Sequence, residues 1–140
     1  MSELTLEQAN RIVIEAIKAA RSMKIPPVTV VVLDSSGHLK AMQREDGASM
    51  FRFEVARGKA WGAVGMGAAS RVLAERAKEN PNFFVALAAT GGGKFLPQPG
   101  AVLIRDPGGN ILGAAGASGG TGDEDEALCA QGVTNAGLST

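Results

Sequence analysis

Eleven of the nineteen glycines in this chain of 140 residues fall between Gly91 and Gly122. There Gln98-Pro-Gly-Ala-Val-Leu-Ile104 is followed by Asp106-Pro-Gly-Gly-Asn-Ile-Leu-Gly-Ala-Ala-Gly-Ala-Ser-Gly-Gly-Thr-Gly-Asp-Glu-Asp-Glu126. A backbone so poor in side chains must turn sharply or lie close against something. The stretch reads as strand, tight turn, strand, glycine loop and acidic helix start. It is where a ligand is expected.

The remainder supplies the other elements. Thr5-Leu-Glu-Gln8 is a capping-box pattern, and Leu6, Ala9, Val13, Ala16, Ala20 and Met23 recur behind it at helical spacing. Pro26-Pro27 ends that helix. Val28–Leu33 is almost wholly apolar and β-branched, as in a strand covered on both faces. Asp34-Ser-Ser-Gly37 turns it back into His38–Gln43, a hairpin.

A second helix is predicted over about Met50–Ala69, although it carries Gly58, Gly62, Gly65 and Gly67. Each glycine costs about 1 kcal/mol relative to alanine, so close packing against another backbone is expected there. Ser70 is read as the cap of a charged helix running to Lys78, and Pro81 as the first residue of another. Gly91–Gly100 is a loop with a possible short edge strand. A second hairpin turns at Asp106-Pro-Gly-Gly109, and a last helix starts near Asp123. Helix, hairpin, helices, hairpin, helix predicts one α+β domain over residues 1–140, an antiparallel sheet with helices packed on it.

Composition narrows the function. Fourteen basic and fourteen acidic residues balance, and aromatics are 4% with no tyrosine. Neither a basic stretch nor stacking platforms for bases are present, which sets nucleic acid aside. No apolar run approaches membrane-spanning length, and the first residues carry no secretory pattern. Cys129 stands alone, which removes disulfide frameworks and Cys-rich metal sites. A cytoplasmic protein without membrane partners is expected.

The order of these motifs resembles the GlcG/HbpS-like family, also called the haem-degrading domain family. The resemblance is carried by Asp34-Ser-Ser-Gly-His-Leu39, Arg44-Glu-Asp-Gly-Ala48 and Ala56-Arg-Gly-Lys-Ala60. It is carried above all by Gly113-Ala-Ala-Gly-Ala-Ser-Gly-Gly120 with Asp125-Glu126 and Cys129-Ala130. It implies a profilin-like antiparallel sheet of about five strands, assembly as a homo-oligomer and, in some members, association with haem. The family's Pro-Gly-Gly-x-Pro-Ile stands here as Pro99-Gly-Ala-Val-Leu-Ile104, short of one glycine and one proline.

The candidate site residues follow from motif and chemistry together. For haem or a related tetrapyrrole, the iron donors on offer are His38, Cys129 and five methionines. His38 also reads as an exposed hairpin residue, and Cys129 as a small buried filler. The pocket is expected between the Gly91–Gly100 loop, the Gly113–Gly122 segment and the Lys59 face of the second helix. Lys59, Gly92, Gly93, Gly100, Ser118 and Gly119, with His38, are its candidate binding residues. Lys59 needs a carboxylate partner, either Asp46, one of the acids at Asp123–Glu126, or a ligand. Arg44 and Asp46 are read as bracing their own loop.

The acids at Asp123–Glu126 cap a helix or serve chemistry. If the chain is instead an enzyme on a small carboxylate or carbonyl metabolite, Lys59 holds the anion and Asp125 or Glu126 is the general base. A ligand-free accessory oligomer is the third reading. No resident metal is expected apart from haem iron.

Overall fold

The computed structural model describes residues 3–140 of the chain. Helix α1 (Leu6–Ser22) opens with the capping box, in which Thr5 and Gln8 bond each other's backbone N–H. Its buried stripe is Ala9, Ile12, Val13, Ala16, Ala19 and Ala20. Strands β1 (Thr29–Asp34) and β2 (Leu39–Arg44) form the first hairpin. Helices α2 (Phe51–Met66), α3 (Ser70–Glu79) and α4 (Pro81–Thr90) follow. Strands β3 (Ala101–Arg105) and β4 (Ile111–Ser118) form the second hairpin, and helix α5 (Gly122–Asn135) ends the order.

The architecture is α+β around one antiparallel sheet of strand order β2-β1-β4-β3. The sheet has four strands, close to the about five expected, and residues 91–100 run as turns and loop. β1 and β4, one from each hairpin, pair at the centre from Thr29↔Ser118 to Asp34↔Gly113. Both hairpins turn identically. Asp34 and Asp106 each accept a backbone N–H four residues on, from His38 and Asn110. Gly37 (φ 80°) and Gly109 (φ 85°) supply the left-handed residue. A bulge follows on each partner strand.

Both sheet faces are covered, which explains why β1 is apolar along its length. Val30 and Val32 join α1 and α5 in one core, whereas Val31 and Leu33 join α2 in the other. The helical glycines divide by role. At Gly58 a side chain would meet Leu96 Cβ at 2.8 Å, and at Gly62 it would meet the Phe95 ring at 2.9 Å. These two admit the loop that lies across α2. Gly65 has no such neighbour, and Gly67 (φ 68°) terminates the helix.

Ser70 does not cap α3, whose N-cap position is Ala69. Its buried hydroxyl instead accepts from Ala101 N (2.9 Å) and donates to Ala101 O (3.3 Å), tying α3 to the start of β3. Removing it strands one donor and one acceptor of an otherwise dry edge. Ser70→Ala is therefore expected to lower unfolding stability by about 1–3 kcal/mol in urea titration, with the slope unchanged.

Candidate functional site

α2 and α5 each bring one charged residue under cover. Lys59 and Asp125 are 5% and 1% exposed, and Lys59 Nζ lies 3.1 Å from Asp125 Oδ2. Nζ also donates to Ala117 O at 3.0 Å, at the end of β4. Asp125 Oδ1 accepts from Gly120 N at 2.9 Å. The pair thus fastens α2, β4 and α5 together, and both carboxylate oxygens are engaged. Gly100 (φ 135°) makes this possible, since a side chain there would lie 2.6 Å from Nζ.

A cleft of about 540 Å³ opens beside the pair. Lys59, Ser118 and the first residues of α5 line it, with Gln98 and Pro99 opposite. Arg52, unremarked in the sequence, also lines it and donates to Ser118 Oγ at 3.3 Å. No carboxylate among the described residues pairs with Arg52. A sequence signal existed: Arg52 and Lys59 are seven residues apart, two turns along one helix face.

The candidate residues separate in space. Lys59, Gly100, Ser118 and Asp125 come together. Gly119 is adjacent, but it packs on Pro27 and Val28 rather than lining the cleft. Gly92 and Gly93 do not line the cleft either; they carry positive φ in the turn that ends α4. Glu126 faces away and pairs with Arg71 at 3.1 Å. The hydrogen bonds that Arg71 donates, first to Asp123 and then to Glu126, raise its pKa above the ordinary value.

Glu124 closes a second capping box with Thr121, so the acidic run is divided between capping, the buried pair and Arg71. Arg44 bonds Ala48 O, and Glu45 takes Arg21, so the expected Arg44–Asp46 brace does not form. Cys129 is fully buried, and burial first, then the Asp125 charge, pushes its thiol well above the ordinary range.

His38 lies at the far end of the sheet. Its carbonyl accepts from Asp34 N, five residues along β1 from the Thr29↔Ser118 pair. That separation is about 17 Å at the usual strand rise. On this flank α2 and the β2 edge form a groove of about 560 Å³, lined by Leu39, Met42, Arg44, Met50 and Phe53. Met50 is 77% exposed and Leu39 49%. No group of three or more His, Cys, Asp or Glu fit to hold a metal ion occurs among the described residues.

A four-stranded antiparallel sheet, helices on both faces and a glycine-walled cleft over a buried Lys–Asp pair define an α+β domain. Residues 4–134 match the model of the HbpS-like haem-degrading proteins, and the chain belongs to that family. No curated protein matches it in sequence.

Among solved structures, the haem complex of PduOC is 23% identical with TM-score 0.88, over 99% of both chains. HbpS is 28% identical with TM-score 0.82, over 96% of this chain and 90% of that one. Klebsiella pneumoniae ORFY is 21% identical with TM-score 0.87, over 98% and 93%. Among the described residues no helix is long and apolar enough to cross a membrane.

Proposed function

We propose that this chain is a small-molecule-binding, homo-oligomeric protein whose ligand is haem or a related tetrapyrrole. The observation that carries the reading is the exposed, thioether-bearing groove between β2 and α2. The donor set favours this place over the Lys59 cleft. No His, Cys or Met lines the Lys59 cleft, and Cys129 is held as a buried thiol, so iron finds no soft or imidazole ligand there.

The groove offers Leu39 and Phe53 as apolar walls, with Met42 and Met50 as sulphur donors. His38 stands one residue before Leu39, and Arg44, at the edge, suits a carboxylate arm. Haem, when bound, supplies the redox chemistry of its iron; these residues bind the ring and exclude water from one face. Support comes from the family description and from the haem complex of PduOC. Exposed Phe83 and Val85 on α4 give a second copy an apolar patch. A cytoplasmic setting fits the lone unpaired cysteine.

The test is a haemin titration followed by absorbance, with native mass spectrometry counting haem and subunits. A saturable Soret shift is expected, weakened at least about tenfold by Met42→Ala with Met50→Ala, since a methionine side chain fully covered by the ring contributes about 1.5–3 kcal/mol. His38→Ala reports whether the imidazole contributes. Partition without saturation, or a shift indifferent to all three changes, sinks the groove.

A further inference from the structure

We infer that the Lys59 cleft is a second, separate binding site, for the carboxylate of a short monocarboxylic acid, with Arg52 as its anchor. The inference does not rest on the haem reading. Arg52 is half-buried, lines the cleft and has no carboxylate partner among the described residues. Its single side-chain hydrogen bond among the described residues goes to Ser118 Oγ, which is 2% exposed and receives that bond as an acceptor. The hydroxyl proton of Ser118 remains free to donate.

Directly across the strand pair stands Thr29, fully buried, whose Oγ1 has no hydrogen-bond partner among the described residues. Partners in register share a sheet face, with Cβ atoms about 4.5–5.5 Å apart. A buried hydroxyl without a partner costs about 1–3 kcal/mol and calls for an explanation. Thr29 lies behind the cleft wall, whereas the Arg52 guanidinium and the Ser118 hydroxyl line one end of the cleft, and such a pair is what an oxyanion binds.

Charge selects the class. The Lys59 charge is cancelled by Asp125, and Asp123 at the rim is taken by Arg71. One uncompensated positive charge remains, which suits a monoanion better than a phosphate carrying nearly two negative charges. Beyond the anchor Val55, Leu96 and Pro99 give the wall an apolar part beside Gln98 and Thr121, which suits a short tail on the ligand.

The probe is butyrate, with butyramide as its uncharged isostere, titrated into ¹⁵N-labelled full-length protein and followed by NMR. Saturable shifts are expected for the Arg52 side-chain Nε–H and the amides of Ser118, Gly119 and Gly120, absent with butyramide. Arg52→Gln should weaken butyrate at least about tenfold, because a charged hydrogen bond is lost, whereas Arg11→Gln, exposed on α1 and away from the cleft, should leave it unchanged. Ser118→Ala is a second reading of the same contact should Arg52→Gln unfold. Shifts equal with butyramide, binding that survives both variants, or tighter binding of inorganic phosphate overturns the inference. Haemin plays no part in this titration, so its failure and that of the haem reading are distinct.

Discussion

Replacing Asp125 by alanine should cost about 3–5 kcal/mol of folding stability, the largest single-residue effect expected in this chain. The reason lies with the partner. Lys59 is 5% exposed, and without Asp125 its ammonium keeps one protein contact, the carbonyl of Ala117. An uncompensated charge in that position is far more costly than the pair is favourable. Gly120 N also loses its acceptor. For a chain of this length the loss corresponds to a melting point lower by about 10–15 °C.

The double variant Lys59→Met with Asp125→Leu removes both charges and keeps comparable volume. It should recover most of the loss, because desolvating the pair consumes much of its attraction. Urea unfolding of the single and double variants forms the cycle. A loss below about 1 kcal/mol for Asp125→Ala would mean that water reaches the lysine, as it does for an exposed pair.

Gly116→Ala should cost about 3 kcal/mol, at the upper end of ordinary overpacking. Gly116 lies in central strand β4, where α2 crosses the sheet. An added Cβ would sit 2.5 Å from Ala56 O and 3.0 Å from Ala60 Cβ. The first contact is backbone, so no rotamer change relieves it and α2 must lift. Arg52 and Lys59 ride on α2, so the substitution should also weaken butyrate binding by disturbing the cleft. Gly65→Ala is the control on the same helix: its Cβ meets nothing within 4 Å. That change should stabilise by up to about 1 kcal/mol through helix propensity. Equal melting points for the two variants would contradict the close α2–sheet contact.

Much of this geometry is local and can be read along the chain. The Thr5–Gln8 box, the apolar stripe of α1, the Asp-x-x-Gly turns and Pro81 at a helix start all act within four residues of themselves. The strand assignment of β1 rests on β-branched residues apolar on both sides, which suits a central strand. The glycines of α2 mark close packing at Gly58 and Gly62 but not at Gly65, because spacing alone does not say what lies opposite. Ser70 looks like a cap, since a hydroxyl before a helical pattern usually is one. It bonds β3 instead, 31 residues away.

The site divides in the same manner. Lys59 among small residues signals a carboxylate partner, and the acidic run offers several. Helix phase after the Thr121 cap then selects Asp125 for the interior, leaving Glu126 to Arg71. His38 and Gly119 share a protein but not a pocket, because antiparallel pairing of β1 with β4 sends the first hairpin turn to the opposite end of the sheet. Arg52 and Thr29 are inconspicuous in sequence. Their meaning comes from a missing carboxylate and a missing hydrogen bond.

Element types, turns and caps were determined along the chain itself, since hydrophobic period, capping and backbone freedom act over a few residues. The pairing of Lys59 with Asp125, the separation of cleft from groove and the isolation of Arg52 were decided by tertiary structure alone. Charge partners, burial and desolvation depend on which distant segments fold against one another.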